Sequence, residues 1–173
     1  WLLKHKPKIY PHQTKSNYDE KLALDGYKVQ KLVEEFLIQS EGADRYSFNK
    51  PYKVNQELYA EADSIRQNED GTVNIYEVKS SSSYKKHLTD AAFQALVMER
   101  YGVIVKSIYI IHLNKDYVRG DILNISEMMS FSEVTKEVRN IIDGVVVKVD
   151  SALKFLEQSE IDETSCSCLE LSK

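Results

Sequence analysis

The stretch from Glu61 to Lys79 reads EADSIRQNEDGTVNIYEVK and decides the fold of this chain. Its centre, NEDG, is a turn signal that closes with glycine, and β-forming residues flank it on both sides, which predicts a β-hairpin. If the turn centres near Asp70, the numbers of facing residues add up to about 140. Asp63 is then expected opposite Glu77, and Glu61 opposite Lys79.

This register places two carboxylates and one ammonium group on a single face of the hairpin, because Glu77 and Lys79 are two residues apart. Facing carboxylates destabilise a sheet, and a divalent cation between them would reverse that effect. Mg²⁺ or Mn²⁺ takes oxygen ligands, which Asp63, Glu77 and the backbone carbonyl of Val78 could supply. Lys79 would orient water or stabilise charge on a phosphate, as in metal-assisted phosphodiester hydrolysis. The alternative is a solvated hairpin face, since acid-X-Lys triplets are common by chance.

The same three residues, Asp63, Glu77 and Lys79, resemble the signature of the PD-(D/E)XK nuclease superfamily, an Asp followed after a hairpin-length gap by (D/E)-X-K. Their surroundings resemble its RecB-like branch, which includes CRISPR-associated and AddB-type exonucleases. The resemblance extends to an uncharacterised bacterial family with a RecB-like core, marked by the runs EVKSS, DxAFQ and IHLNKxYVRG. These runs occur here in that order at residues 77–81, 90–94 and 111–120, and the resemblance covers roughly residues 20 to 132.

The resemblance implies an α/β fold, with a mixed central β-sheet, flanking helices and a restriction-endonuclease-like core in the order αβββαβ. Residues 17–131 would form this RecB-like nuclease core. Around it we expect a basic N-terminal arm at 1–16, a long C-terminal helix at 132–158 and a tail at 159–173 that is truncated.

The family pattern also implies site residues outside the hairpin. Gln94 matches a Gln that faces the metal site, where it would hold the substrate or the lysine. The Tyr that follows this Gln in the pattern is replaced by Met98. Tyr101 lies on roughly the same helix face as Gln94, so it is a candidate to substitute for that Tyr in part and to contact the nucleic acid. In the first helix, Gln30 stands where the branch has a His ligand. Glu34 is a candidate metal ligand, because many superfamily members place a first-helix Glu at the site.

Basic residues near these motifs are candidates for contacts with DNA phosphates. Lys85, Lys86 and His87 follow the serine run after the hairpin, and Lys115 and Arg119 lie in a polar turn. The alternative for each is a solvated loop residue. The basic arm is likewise either a phosphate-contacting segment or a terminus without fixed structure.

Periodicity and capping signals predict the elements around the hairpin. We expect three helices: 17 to about 39 with Asn17 as its cap, 89 or 90 to 101, and about 132 to 157 with Ser130 as its cap and Glu133 completing a capping box. We expect a polar loop at 40–50 and strands at 52–59, 103–105 and 107–113, the last parallel to the second hairpin strand. Inside that strand, His112 is expected to be a hydrogen-bonded structural residue. Asp90 is a secondary site candidate, or a helix N-terminal acid favoured by the dipole.

The composition excludes several classes of protein. With 173 residues, 42% hydrophobic and 29% charged, the chain has the size and composition of one domain with a sizeable core. It has no apolar run of membrane-spanning length and no signal-peptide pattern, so we expect a cytoplasmic protein. The net charge of −4 is unusual for a nucleic-acid binder, so DNA binding would need a local basic patch. Two cysteines, Cys166 and Cys168, are too few for a disulfide framework or a four-thiolate iron–sulfur cluster.

Two functions are compatible with these residues. The first is a Mg²⁺- or Mn²⁺-dependent DNA nuclease of the RecB-like type, expected to be an exonuclease. Its partners would be DNA and either another protein or a missing C-terminal region, with no membrane. The second is a catalytically inactive nuclease-fold module for nucleic-acid binding or protein assembly. The intact Asp/Glu/Lys set favours the first, whereas the acidic balance, Gln30 and Met98 favour the second.

Overall fold

Five strands form one mixed sheet in the order β1-β2-β3-β4-β5 in the computed structural model, which describes residues 16–55 and 57–157. The pair β3–β4 is parallel and the other three pairs are antiparallel. Strands β1 to β5 span Tyr46–Val54, Leu58–Gln67, Val73–Lys79, Val105–Leu113 and Met129–Glu133. Helices α1 to α4 span Asn17–Glu41, Leu88–Tyr101, Ile125–Met128 and Thr135–Leu156, and short 3₁₀ helices lie at Ala43–Arg45 and Lys85–His87. The expected mixed sheet with flanking helices is confirmed, and α1 to β4 follow the predicted αβββαβ order.

The β2–β3 hairpin has the register that its turn chemistry predicts. Gly71 adopts φ 79°, a conformation that costs glycine little, and its N–H donates to the carbonyl of Asn68 at 3.1 Å. Ser64 pairs with Tyr76 across the hairpin. The numbers of this pair add up to 140, so the two strands are aligned next to the turn as predicted.

Each face of the sheet carries its own hydrophobic cluster. On one face, α2 and α4 cover a cluster that includes the fully buried Ile65 and Ile75. On the other face, Val33 of α1 packs in a cluster with Tyr76 and Val78. Since side chains alternate along a strand, the intervening residues of β3 point towards α2 and α4, and this face carries the candidate site.

The alternation of side chains between the two faces of the sheet shifts in both β1 and β2, at Asn49 and Asp63. In β1, Tyr46 lies in the α1 cluster and Tyr52 in the α2–α4 cluster, although an even spacing normally keeps residues on one face. Asn49 adopts φ 49°, the left-handed conformation that Asn tolerates better than most residues. Its numerical partner in the β1–β2 ladder would be Asp63, and no pair forms there. Such irregularities bend a strand and shift its alternation, so Ala62, which regular alternation would turn to the other face, also lies in the α2–α4 cluster.

Helix α4 is held against α2 by packing and by two ion pairs. Val145 is buried in the α2–α4 cluster. The guanidinium of Arg139 binds both carboxylate oxygens of Glu99 at 2.9 and 2.6 Å. Arg100 of α2 contacts Asp150 of α4 at 2.8 Å. Planar two-point contacts of this kind fix relative orientation, so α4 forms a defined wall beside α2.

The predictions for the first strand were wrong. Residues 40–50 are not a loop, because β1 begins at Tyr46, and the strand expected at 52–59 is interrupted by a turn where Asn55 has φ 55°. β1 is an edge strand with several exposed polar side chains, and it contains Pro51, which an edge tolerates. Its alternation of apolar and polar residues is therefore too weak to mark a strand.

The predicted start of the last helix was also wrong. Ser130 does not cap it, because Met129–Glu133 pairs as β5 with β4 and the helix begins at Thr135. The predicted boundary between residues 131 and 132 therefore falls inside a strand. The Ser-x-x-Glu pattern suits a cap locally, but the ladder with β4 stabilises the extended form. Thr135 then accepts the backbone N–H of Ile108 on its hydroxyl at 2.8 Å, which ties the helix start to the sheet.

The remaining differences are small. Ser16 rather than Asn17 caps α1, with Asp19 completing the capping box. A single strand, β4, replaces the two predicted at 103–105 and 107–113. Helix α2 ends at Gly102 with φ 101°, as its sequence predicts. The basic arm apart from Ser16, and the tail with its two cysteines, lie outside the described residues. Within the described residues, no helix is both long and apolar enough to cross a membrane.

We expect Ile75→Ala to lower the free energy of unfolding by about 2–5 kcal/mol, because truncating a fully buried side chain removes apolar burial and leaves a cavity. The matched change Val147→Ala on α4, where 65% of the side chain is exposed, should cost no more than about 0.5 kcal/mol. Urea denaturation measures both. Equal losses in the two variants would contradict the assignment of the core to this face of β3.

Candidate functional site

Asp63 bonds to β3 through its side chain. The recorded ladder between β2 and β3 ends at the pair Ser64–Tyr76. Beyond that pair, the backbone N–H of Val78 donates to Oδ2 of Asp63 at 2.8 Å. A carboxylate thus takes the place of a backbone acceptor, and it lies directly over β3 beside Glu77.

Glu77 is 3% exposed and both of its carboxylate oxygens have partners. The ammonium of Lys79 lies 2.6 Å from Oε1, and the amide Nε2 of Gln94 donates to Oε2 at 2.5 Å. Lys79 also lies 3.8 Å from Oδ2 of Asp90 on α2. A buried carboxylate requires such partners, so these contacts hold the side chains from β3 and α2 in one arrangement. Glu61, expected opposite Lys79, makes no ion pair with it and instead accepts the hydroxyl of Tyr59 at 2.6 Å.

Asp63 is the electrostatically strained member of the group. Burial, followed by repulsion from Glu77, raises the pKa of Asp63 to about 7, although the N–H of Val78 and the charge of Lys79 oppose the rise. The two carboxyls also share a hydrogen bond, which favours a proton on Asp63. Without a cation, the site therefore resists ionisation of both carboxyls together.

Two neighbouring bases respond to the same environment in opposite directions. Burial alone would lower the pKa of Lys79, but attraction and a hydrogen bond from Glu77, with help from Asp63 and Asp90, outweigh it and raise the pKa. The pKa of His87 is lowered by its burial and then by the positive charge of Lys79. Lys79 is thus charged at neutral pH, while His87 favours its neutral form.

The oxygen atoms of this group suit a hard divalent cation. Among the described residues, no cluster of three or more His, Cys, Asp and Glu side chains could hold a metal ion. Mg²⁺, however, is commonly bound through one or two carboxylates with water or substrate oxygens completing its shell. Asp63 and Glu77 offer that pair, and a cation would relieve their repulsion. Oε1 of Gln94 is also buried beside them with no hydrogen-bond partner within the described chain.

A cavity of about 520 Å³ opens beside Glu77 and Lys79, between the sheet, α2 and α4. Two of the residues that line it follow from the sequence, since the hairpin register predicts Glu61 opposite Lys79 and Asp90 is a secondary site candidate. Nothing in the sequence pointed to the contribution of α4, because only tertiary packing brings that helix to the site. The lining residues are Tyr59, Ala60, Glu61, Glu77, Lys79, Thr89, Asp90, Phe93, Gln94, Val145, Lys148 and Val149.

Glu34 is not brought to the two carboxyls. It lies on α1, which covers the opposite face of β3, and its carboxylate accepts the amide of Asn49 at 3.1 Å. Gln30 donates to the same Asn49 at 2.6 Å. The predicted metal contact of Glu34 therefore has no support in the arrangement, because its side chain instead stabilises the irregular residue of β1.

The basic segment after the hairpin borders the site. Lys85 and Lys86 are exposed on a 3₁₀ helix that leads directly into α2. His87 is held by Ser81, whose hydroxyl lies 3.0 Å from Nε2, and its Nδ1 lies 3.8 Å from the carboxylate of Asp90. The two exposed lysines make no ion pair with a described residue, so they can contact solvent or an anion.

The other predicted DNA-contacting residues lie away from the cavity. Tyr101 is 58% exposed and packs edge-on against Tyr52, with 5.3 Å between ring centroids. Lys115 and Arg119 are exposed in the loop between β4 and α3 and do not line the cavity. His112, expected to be structural, is buried with Nε2 2.9 Å from the hydroxyl of Ser132.

No protein-family profile and no curated protein sequence matches this chain. Among solved structures, the chain is similar to SSO0001, known from its crystal structure. The two share 14% sequence identity with a TM-score of 0.44, over 91% of this chain and 86% of the other.

We expect the raised pKa of Asp63 to give the metal-free protein a specific pH dependence. Because the folded state keeps a proton on Asp63 up to about pH 7 whereas the unfolded chain loses it near the usual aspartate pKa of 3.8, the folded state binds more protons between these values. Stability conferred by this proton is present below the unfolded pKa and is lost as pH rises through the folded one. Asp63→Asn should remove this decline. Between pH 4 and pH 8, the free energy of unfolding of the variant should therefore rise by roughly a few kcal/mol relative to that of the parent.

Chemical denaturation in EDTA across this pH range tests that expectation. Asp44→Asn, an exposed residue of the first 3₁₀ helix, is the control and should follow the parent curve. Parallel curves for the parent and Asp63→Asn would show that folding does not raise the pKa of Asp63.

Proposed function

We propose that this chain is a divalent-metal-dependent DNA nuclease of the RecB-like type, which hydrolyses phosphodiester bonds from DNA ends. One observation carries the proposal. The side chains of Glu77, Lys79 and Gln94 meet at the wall of a cavity, and the carboxyl of Asp63 from a third element lies against Glu77 behind it. A sheet whose only task was packing would gain nothing from two adjacent buried carboxyls.

The carboxylates of Asp63 and Glu77, with the backbone carbonyl of Val78, would hold Mg²⁺ or Mn²⁺. When bound, the ion supplies Lewis-acid stabilisation of negative charge on a phosphate oxygen. The support for this assignment is the raised pKa of Asp63, caused by burial and then by repulsion from Glu77, since a protein keeps such a pair at a cost in stability. Perturbed carboxyls in a cleft are characteristic of functional sites.

Lys79 has the position and charge to stabilise the transition state. Its ammonium is held between Glu77 and Asp90, and its side chain is only partly exposed. A fixed positive charge in a partly dry site stabilises the negative charge that develops on phosphorus oxygens more than a mobile, solvated one does. Lys79 therefore acts in the chemical step, while the carboxylates bind the metal.

Gln94 orients the site from α2. Its amide N–H fixes Oε2 of Glu77, so the carboxylate presents a defined edge to the cavity. Its own Oε1, buried without a partner among the described residues, is an acceptor for a donor that enters the site. The exposed Lys85 and Lys86, which precede α2 in the chain, would contact the DNA backbone and offset locally the acidic net charge of the chain.

We expect Lys79→Ala to reduce DNA hydrolysis by on the order of 10²–10³, the usual loss when a preorganised stabilising charge is removed. Affinity for DNA should fall much less, because other cations still contact phosphates. The measurement uses end-labelled linear DNA and circular DNA with Mg²⁺, Mn²⁺ or EDTA. The parent should degrade linear DNA with either metal, spare circles and be inactive in EDTA.

Lys106→Ala is the matched control for that experiment. Lys106 belongs to β4 at the opposite end of the sheet, where it pairs with Asp70 at 2.9 Å, so cleavage should stay at the parent rate. A parent protein that binds DNA but never cleaves it, with any of these metals, would favour the inactive nuclease-fold module instead. Cleavage by Lys79→Ala at the parent rate would remove the lysine from the mechanism.

We also expect Mg²⁺ and Mn²⁺ at millimolar concentration to raise the melting temperature of the parent. An ion that binds only the folded state stabilises it by mass action, about 2.7 kcal/mol at a hundred times its dissociation constant. Asp63→Asn should lose most of this shift, whereas Lys79→Ala should retain it because an ammonium is not a metal ligand. Differential scanning fluorimetry with and without metal measures all three proteins. An unmoved parent curve would contradict metal binding at Asp63 and Glu77.

A further inference from the structure

Lys148 of α4 is a cation in the cavity whose role the proposed chemistry does not explain. It lines the same cavity as Lys79. Lys79 is engaged by Glu77 and Asp90, whereas Lys148 makes no ion pair or side-chain hydrogen bond with any described residue. Its ammonium is therefore available to an anion that enters the cavity.

The wall around Lys148 is apolar. Val145 and Val149, three residues before it and one after it, line the cavity from α4, and Phe93 lines it from α2. The opposite side carries the charged groups of Glu77 and Lys79. A ligand that fits this cavity therefore has a charged end and a flat or bulky apolar end.

A nucleotide has these two ends, because its phosphate is anionic and the face of its base is apolar. The cavity volume of about 520 Å³ lies in the range of roughly 300–1,000 Å³ that is usual for small-molecule sites. Aromatic and aliphatic side chains commonly receive unstacked bases in this way. A base inside a duplex has both faces covered by its neighbours, so only an unpaired base could contact the wall.

Helix α4 is also unable to move aside easily. Arg139 and Asp150, on either side of Lys148 in sequence, are each paired with residues of α2. The width of the cavity is therefore fixed by contacts outside it. This fixed wall selects against a bulky duplex at the position of Lys148.

We propose that α4 forms a subsite for one unpaired nucleotide of a DNA strand, an inference that rests on the nuclease function proposed above. Lys148 binds a phosphate adjacent to the one at Lys79. Phe93, Val145 and Val149 accept the base beside that phosphate. The substrate is therefore DNA with a single-stranded end, and Lys148 is a specificity residue outside the metal-binding group.

Binding of short labelled oligonucleotides tests this subsite separately from cleavage. Every protein carries Lys79→Ala so that the DNA stays intact, and fluorescence anisotropy is measured in Mg²⁺ and in EDTA over a range of salt concentrations. Lys148→Ala should bind single-stranded DNA about tenfold more weakly, with a slope of log affinity against log salt smaller by about 0.7, the value for one phosphate contact on a single strand. Lys148→Arg should restore most of the affinity.

The matched control is Lys154→Ala, which removes the same charge from the same helix at an exposed position off the cavity wall. It should leave affinity and salt slope unchanged. A blunt duplex of the same sequence should bind more weakly than the single strand and should not respond to Lys148→Ala. An oligonucleotide with abasic sites should also bind more weakly, because the apolar wall has no base to receive.

Three results would overturn the subsite. In the first, Lys148→Ala and Lys154→Ala bind single-stranded DNA with equal affinity. In the second, Lys148→Ala weakens the binding of duplex and single strand equally. In the third, the protein with Lys148 intact shows no measurable binding of single strands. Absence of cleavage in the parent together with Lys148-dependent binding would instead refute the nuclease function and leave the nucleotide subsite standing.

Discussion

The hydrogen bond from the backbone N–H of Val78 to the carboxylate of Asp63 is the contact on which the rest of the site depends. It replaces a ladder bond by a side-chain bond at the point where β2 and β3 separate. That exchange leaves β3 satisfied and keeps Asp63 against Glu77. The repulsion between the two carboxyls is then opposed by Lys79, and Gln94 fixes the remaining oxygen of Glu77. A sheet with a regular ladder here would be more stable, but it would carry no convergent group of charges.

How much of the fold follows from sequence depends on where its stabilising contacts lie along the chain. The hairpin register could be predicted because the turn around Gly71 is local and admits few strand alignments. The end of α2 at Gly102 is local in the same sense. Strand β5 could not be predicted, because Ser130 and Glu133 satisfy the rules for a helix cap equally well. Only pairing with β4, about twenty residues earlier, decides in favour of a strand.

The residues of the candidate site also differ in whether local sequence or tertiary packing determines their position. Asp63, Glu77 and Lys79 could be placed on one patch from hairpin register and strand alternation alone. Gln94 came from a sequence pattern rather than from geometry, and its bond to Glu77 is what the structure adds. Lys148 carries no signal in the sequence, because its position depends on how α4 packs against α2. Residues 85 to 87, by contrast, lie next to the hairpin in the chain and could be expected nearby.

The position of α4 in the chain has a consequence for the order in which the protein is built. Both carboxyls, Lys79 and Gln94 belong to the chain up to β4, but the cavity lacks one wall until residues up to Val149 have been synthesised. Domains form as the chain emerges from the ribosome, and contacts distant in sequence close last. The residues of the charged group are therefore synthesised before the helix that limits access to them. A chain that stopped after β5 would lack both this wall and the buried core residues Val138 and Val145 that α4 supplies.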